Sequence, residues 1–177
     1  MNSATLIALL GMIGFSAASF IFALAESALF TLGKWRARQL VSRDLKKGEL
    51  VLKLLQNPRR LLSAIVLGNT CSNTALVAIA LWMSFGSEET NPWLTIAGTL
   101  ILILFVCEVV PKTLAVRMPE RWVLQLAQPI SLFVAMVGPG IRLGEWVTGK
   151  LLGIGKSGDP KADTGTTDAE YEELVEL

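Results

Sequence analysis

Three long apolar runs constrain this chain more than any other feature of its sequence. They cover residues 4–32, 61–85 and 93–117, and a weaker fourth run covers about 129–147. About 20 apolar residues in a helix span the hydrocarbon core of a bilayer. Hydrophobic residues make up 52% of the chain, which is high for a soluble domain. The runs therefore predict an all-α integral membrane protein with three transmembrane helices.

The charges between the runs predict the orientation of these helices. The basic connection, residues 34–60, carries nine basic side chains and two acidic ones, whereas residues 84–92 carry two acidic side chains and no basic one. Because basic connections stay in the cytoplasm, we expect the N-terminus outside and the C-terminus in the cytoplasm. The basic connection also favours membrane lipids over nucleic acid as a partner.

The segments that flank the spans predict juxtamembrane helices. Basic and apolar residues alternate at helical spacing over about 34–57, which indicates a helix on the inner membrane surface or one packed on other cytoplasmic parts. Residues 119–150 contain Gly-Pro-Gly at 138–140, which favours a bent interfacial or half-inserted helix over a fourth span. The transmembrane module is thus predicted to be residues 1–152.

The last part of the chain differs in composition from the module. Residues 153–167 are rich in Gly, Ser, Asp and Lys and predict a linker. Residues 168–177 predict the start of an acidic cytoplasmic helix that stops abruptly. We expect a further cytoplasmic region to follow.

Polar side chains inside the third run are candidate functional residues. Glu108 and Lys112 lie among apolar residues, and a carboxylate at that depth normally faces a protein interior or a wet cavity, where it handles ions or protons. Pro111 cannot donate a backbone hydrogen bond, and its ring crowds the carbonyl of Cys107. A freed carbonyl beside a carboxylate indicates a cation site.

The other two runs also carry polar residues. Asn69 and Asn73 are four residues apart and share a helical face, while Gly68 allows a backbone or an ion to approach. The alternative is that these residues only bind helices together. In the first run, Glu26 and Ser27 lie near the inner end. Glu26 either faces a cavity or is a snorkelling or capping charge, and Ser27 alone would be a packing residue. Small residues also form a stripe on one face of this run: Ser16, Ser19, Ala23 and Ser27.

The three polar groups are predicted to lie at one depth. At about 1.5 Å per residue, Glu26 lies roughly 9 Å from the inner end of its span, Asn69 roughly 12 Å and Glu108 roughly 14 Å. Their oxygen atoms are hard ligands, suited to Mg²⁺, Ca²⁺, Mn²⁺ or Na⁺. One carboxylate neutralises a divalent ion only in part, so binding would be weak and reversible. Lys112 is predicted to pair with Glu108 when no ion is bound.

Other chemistry has less support. The chain has no histidine, and it has neither a phosphate-binding glycine loop nor a nucleophile elbow, so we do not expect an enzyme. An intramembrane hydrolase that uses Glu108 or a serine is an alternative without a visible acid–base pair. Cys71 and Cys107 lie in predicted spans, where packing is more typical than a disulfide or a soft-metal site.

Three motifs together resemble the transmembrane module of the CorC and cyclin M (CNNM) family. They are Ala25-Glu26-Ser27-Ala28-Leu29, Gly68-Asn69-Thr70 with Asn73, and Glu108-Val109-Val110-Pro111-Lys112-Thr113. The basic connection and the Pro-Glu-Arg of residues 119–121 are also similar, so the resemblance covers nearly the whole chain. One departure is Cys107, because the family usually has glycine immediately before the glutamate.

The resemblance implies a homodimer in the plasma (inner) membrane that exports Mg²⁺ through an inward-facing cavity, coupled to Na⁺ entry. It also implies cytoplasmic CBS-pair domains downstream. The implied Mg²⁺ site consists of Ser27, Gly68, Asn69, Asn73 and Glu108. The implied gating or surrounding residues are Glu26, Cys107, Pro111 and Lys112. The alternative function is a non-transporting divalent-cation sensor, or a regulator of another transporter.

Overall fold

The structure is a computed structural model that describes residues 3–85 and 91–151, and this part of the chain contains helices and short turns but no β-strand. The elements are α1 (Ser3–Val41), α2 (Leu45–Gln56), α3 (Pro58–Phe85), α4 (Pro92–Leu102), a π-helical turn (Ile103–Val109), α5 (Val110–Arg117) and α6 (Pro119–Leu151). The predicted all-α class is confirmed. The predicted linker and acidic helix, residues 153–177, lie outside the described residues.

Helices of sufficient length and hydrophobicity to cross a membrane make up most of the described chain. There are four such segments within it: Thr5–Gly33, Pro58–Phe85, Pro92–Arg117 and Pro119–Gly144. Many large apolar side chains on these helices are exposed, as expected of surfaces that face lipid. The protein is therefore a multi-pass integral membrane protein. The fourth segment exceeds the three spans predicted from the sequence.

A break in α1 separates its apolar part from the basic connection. Gly33 has φ 66° and ψ 168°, a conformation that is essentially restricted to glycine. The helix then continues to Val41, and α2 begins after Asp44, whose carboxylate accepts a hydrogen bond from the Lys47 N–H at 3.2 Å. The helix predicted over 34–57 is thus divided into two pieces by a turn.

Gly48 allows α2 to fold back onto the end of α1. A Cβ atom at Gly48 would lie 2.6 Å from the Val41 Cα and 2.9 Å from the Leu40 carbonyl carbon. These are backbone atoms, which cannot rotate away. We therefore expect Gly48→Ala to destabilise the protein by about 1–3 kcal/mol, the usual cost of overpacking. Thermal unfolding in detergent measures this loss.

The matched control for this substitution is Gly98→Ala, because no atom lies within 4 Å of a Cβ at Gly98. Its melting temperature should equal or slightly exceed that of the wild-type protein, since alanine favours helix more than glycine. Equal melting temperatures for Gly48→Ala and the wild type would contradict the close contact of α1 and α2.

The main apolar core lies where the C-terminal half of α1, α2, the start of α3, the end of α5 and α6 meet. Its members are Leu24, Ala25, Ala28, Leu29, Leu32, Ala37, Leu40, Val51, Leu54, Leu55, Leu61, Ile65, Ala115, Val123, Ala127 and Ile130. Phe22 packs against this core, and its ring lies at a centroid distance of 4.6 Å from the ring of Phe133. This core fixes the relative positions of α1, α3 and α5.

Helix α6 contacts the basic connection at two points. Near its start, Glu120 Oε2 lies 3.0 Å from Arg43 Nη1. Further along, a Cβ atom at Gly138 would collide with the Arg60 guanidinium, so α6 contacts the first turn of α3 there. Both partners belong to the basic connection, although 18 residues separate Glu120 from Gly138. This segment of α6 therefore runs alongside the connection.

Candidate cation site

Four polar side chains meet between α1, α3 and the π-helical turn, and we call them the oxygen cluster. Ser19 Oγ lies 2.8 Å from Asn69 Oδ1 and 2.6 Å from Asn73 Oδ1. Asn69 Nδ2 donates to Glu108 Oε1 at 2.9 Å. The cluster therefore connects three different helical segments through their side chains.

The π-helical turn places Glu108 at this point. Pro111 follows the turn and has no N–H, so it donates to neither the carbonyl four residues before it nor the one five residues before it. The Val110 N–H donates to the Phe105 carbonyl, which is the wide π spacing. Turns of this kind inside α-helices occur frequently at functional sites. Sequence reasoning predicted a freed carbonyl here but did not predict the π-helical turn itself.

Cys107 and Pro111 are buried on the side of the turn that packs within the protein. Cys107 Sγ lies 3.8 Å from the carbonyl oxygen of Ser16, so its thiol contacts α1 close to the oxygen cluster. The side chain at this position thus fills space between α1 and the turn. Glu108, the next residue, reaches Asn69 on α3.

Gly68 lies immediately before Asn69 and lets α1 approach α3. A Cβ atom at Gly68 would lie 2.6 Å from the ring of Phe22 on α1. Phe22 is itself packed against Phe133. Gly68 therefore sets the distance between the two helices beside the oxygen cluster, and the group that approaches it is an aromatic ring.

Glu108 is shared between two partners. Its Oε1 accepts from Asn69, and its Oε2 lies 2.8 Å from Lys112 Nζ, one helical turn further along. The Lys112 side chain is 50% exposed, whereas that of Glu108 is 25% exposed, so the ammonium is the less enclosed of the two groups. A cation that binds Glu108 therefore competes with this ammonium.

Glu26 and Ser27 lie in a neighbouring cavity, which we call the vestibule. It has a volume of about 620 Å³ and is also lined by Lys112, together with Phe30, Thr31, Leu62 and Val116. Lys112 thus contacts the oxygen cluster on one side and the vestibule on the other. The structure brings Asn69, Asn73 and Glu108 together and places Glu26 and Ser27 beside them.

The serine that joins the oxygen cluster is Ser19, which the predicted set of ligands does not include. It lies eight residues before Ser27, roughly 12 Å along the helix. Ser19 is fully buried, and it belongs to the small-residue stripe that was recognised in the sequence. The sequence showed that Ser19 shares a face with the other small residues but not which neighbouring helix that face meets.

The chemistry of the cluster is that of a hard-cation site. Within residues 3–85 and 91–151, no group of three or more His, Cys, Asp or Glu side chains lies together. The oxygen cluster offers one carboxylate, two amide oxygens and one hydroxyl. Such a donor set suits Mg²⁺, Ca²⁺, Mn²⁺ or Na⁺ and does not suit a soft metal.

Comparison with known families assigns the chain. Residues 10–177 match the family model for the cyclin M transmembrane N-terminal domain. The chain belongs to the cyclin M family. This confirms the resemblance to CorC and cyclin M proteins that the three sequence motifs indicated.

Curated relatives of this cyclin M domain come from bacteria and plants. The UPF0053 inner membrane protein YfjD of Escherichia coli is 29% identical over 118 residues, which are 66% of this chain and 27% of YfjD. The chloroplastic DUF21 domain-containing protein At1g55930 of Arabidopsis thaliana is 28% identical over 156 residues, 80% of this chain and 22% of that protein. The chain thus spans roughly a quarter of the length of the relatives it matches.

Proposed function

We propose that this cyclin M domain carries Mg²⁺ out of the cytoplasm and that Na⁺ entry drives the export. The observation that carries the proposal is the oxygen cluster, in which side chains from three apolar helical segments converge. Polar groups at such a position are costly to bury and are usually functional. The donor set matches the transport of a hard cation.

The hydrogen bonding of the cluster favours a bound cation. Ser19 has a single hydroxyl hydrogen, yet its oxygen lies within 2.8 Å of two amide oxygens. One hydroxyl can donate to only one of the two amide oxygens at a time. In an octahedral Mg²⁺ site, neighbouring oxygens lie about 2.9 Å apart, since each is 2.0–2.1 Å from the metal. The Ser19 hydroxyl oxygen lies at a similar distance from the two amide oxygens.

The ion pair of Glu108 and Lys112 gives the site a way to release its cargo. A divalent ion at Glu108 repels the ammonium of Lys112, which then turns towards the vestibule and the carboxylate of Glu26. When the ion leaves, Lys112 returns to Glu108 and compensates its charge. One carboxylate with neutral oxygens holds Mg²⁺ weakly, which suits a transporter rather than a storage site.

The proposed topology has three spans, with the vestibule open to the cytoplasm. Glu120 contacts Arg43 and Gly138 contacts Arg60, so both ends of this α6 segment lie against the basic connection, which supports a juxtamembrane α6. The N-terminus is then outside and the C-terminus inside the plasma (inner) membrane. Homodimerisation and CBS-pair domains in the full-length protein complete this proposal, and both follow from the family resemblance.

Asn73→Ala tests the function. The full-length protein is reconstituted in liposomes that contain a Mg²⁺ indicator, and a Na⁺ gradient is applied. Loss of one ligand oxygen should lower the Mg²⁺ affinity about tenfold to a hundredfold, as expected for a hydrogen bond or contact to a charged group. At low Mg²⁺ concentration the flux should fall in proportion to this loss of affinity. The control is Thr74→Ala, which alters an exposed neighbour and should leave the flux unchanged.

The same experiment separates the transporter from the alternative sensor. Wild-type protein that binds Mg²⁺ but shows no flux under any cation gradient would contradict export and favour a sensor. Flux that depends on Mg²⁺ but not on Na⁺ would contradict the proposed coupling alone.

A further inference from the structure

A second polar cavity lies outside the proposed ion path, between α2, the start of α3 and α6. Its volume is about 220 Å³, and its polar lining residues are Lys53, Asn57, Arg60 and Ser131. None of the described residues that line this cavity is acidic. We call it the basic cavity, because two cationic side chains face it without a compensating carboxylate.

Arg60 is the best-defined group of the basic cavity. Its Nε is buried and has no hydrogen-bond partner among the described residues. Leaving a buried donor unsatisfied is unfavourable, and more so for a charged group. The guanidinium can occupy this place only because Gly138 has no side chain, since a Cβ there would collide with it. The Gly-Pro-Gly sequence of α6, which the ion site does not use, thus has a role in accommodating Arg60.

The location and the lining indicate the chemistry of the ligand. The cavity lies where α3, a candidate span, begins, so its opening is at the level of lipid head groups in the proposed topology. The remaining lining is mostly apolar, with Leu54, Leu61 and Val134 among its members. A guanidinium binds phosphate oxygens with several directed N–H groups, and basic pockets between membrane helices bind anionic head groups.

We propose that the basic cavity binds a phosphate group, held by Arg60 and Lys53, and that this phosphate belongs to an anionic phospholipid. The Arg60 guanidinium donates to phosphate oxygens, and Asn57 and Ser131 supply further polar contacts. The apolar lining receives the adjoining part of the lipid. Inorganic phosphate shares the recognised chemistry but leaves this apolar lining without a partner. The proposal does not depend on the ion that the protein carries.

Native mass spectrometry of the full-length protein in detergent tests this inference. Phosphatidylglycerol is titrated against the protein, with phosphatidylcholine as the zwitterionic comparison. Arg60→Gln should weaken retention of phosphatidylglycerol about tenfold, because a charge-assisted hydrogen bond is lost. Lys53→Gln should give a smaller loss, since that side chain is exposed. Arg38→Gln is the matched control, because Arg38 is an exposed arginine that does not line the basic cavity.

Each outcome decides the proposal. Selective retention of phosphatidylglycerol that falls in Arg60→Gln and Lys53→Gln but not in Arg38→Gln supports it. Equal retention by all variants overturns it, and Lys53→Gln keeps the test valid if Arg60→Gln does not fold. Competition by millimolar inorganic phosphate, with no preference between the two lipids, would overturn the lipid assignment and identify a site for free phosphate.

Discussion

Glu108→Gln is expected to abolish Mg²⁺ transport and to leave the helices in place. Glutamine keeps the shape of the side chain, and its oxygen can still accept the hydrogen bond from Asn69. It removes the only carboxylate of the oxygen cluster, and even a unit charge pair at 4 Å contributes roughly 4 kcal/mol at an effective dielectric constant of 20. The Mg²⁺ affinity should therefore fall at least about a hundredfold. Flux into liposomes and stabilisation by Mg²⁺ in thermal unfolding both measure this change.

The matched control for Glu108→Gln is Glu120→Gln. Glu120 is half-exposed on α6 and pairs with Arg43, outside the oxygen cluster. Because exposed ion pairs contribute little, this variant should keep both flux and Mg²⁺ stabilisation. Full Mg²⁺ flux in Glu108→Gln would mean that the carboxylate does not bind the transported ion.

Gly68→Ala is expected to reduce transport through packing alone. The new Cβ would lie 2.6 Å from the Phe22 ring, which also packs against Phe133. We expect the ring to shift and α1 to move away from α3, which draws Ser19 away from Asn69. A displacement of about 1 Å in a functional site can cost about a hundredfold in rate. We expect at least a tenfold loss of flux, together with a loss of stability.

A second substitution should restore what Gly68→Ala removes. Phe22→Leu shortens the side chain that the new methyl group meets, so the double variant should recover a large part of the flux. The wild type, the two single variants and the double variant form a cycle that measures the coupling energy of the two residues. The loss of flux in the double variant should be smaller than the sum of the two single losses. Gly14→Ala serves as the control on α1, because a Cβ there has no neighbour within 4 Å. Additive losses in the double variant would show that Gly68 acts in another way.

The parts of the site that follow from helical periodicity could be predicted from the sequence. Asn69 and Asn73 share a face because they are four residues apart, and Glu108 is the carboxylate in the third apolar run that must avoid lipid. These three side chains meet in the structure. Pro111 indicated that the backbone near Cys107 is irregular, but the proline did not indicate the kind of irregularity, a π-helical turn over Ile103–Val109.

The parts that could not be predicted depend on where the helices lie relative to one another. Ser19 lies on the small-residue stripe of α1, but the sequence did not show that this part of the stripe meets Asn69 and Asn73. Ser27 as an ion ligand stays a prediction. The Gly-Pro-Gly sequence of α6 also did not indicate that Gly138 makes room for Arg60 on another helix.

The most direct test of the central claim is a crystal structure of the protein with Mn²⁺, an anomalous scatterer that accepts the same oxygen ligands as Mg²⁺. The account predicts one anomalous peak within coordination distance of Glu108 and of the side-chain oxygens of Asn69 and Asn73, with Lys112 turned away from Glu108. A peak beside Glu26 alone, with Lys112 still paired to Glu108, would contradict it.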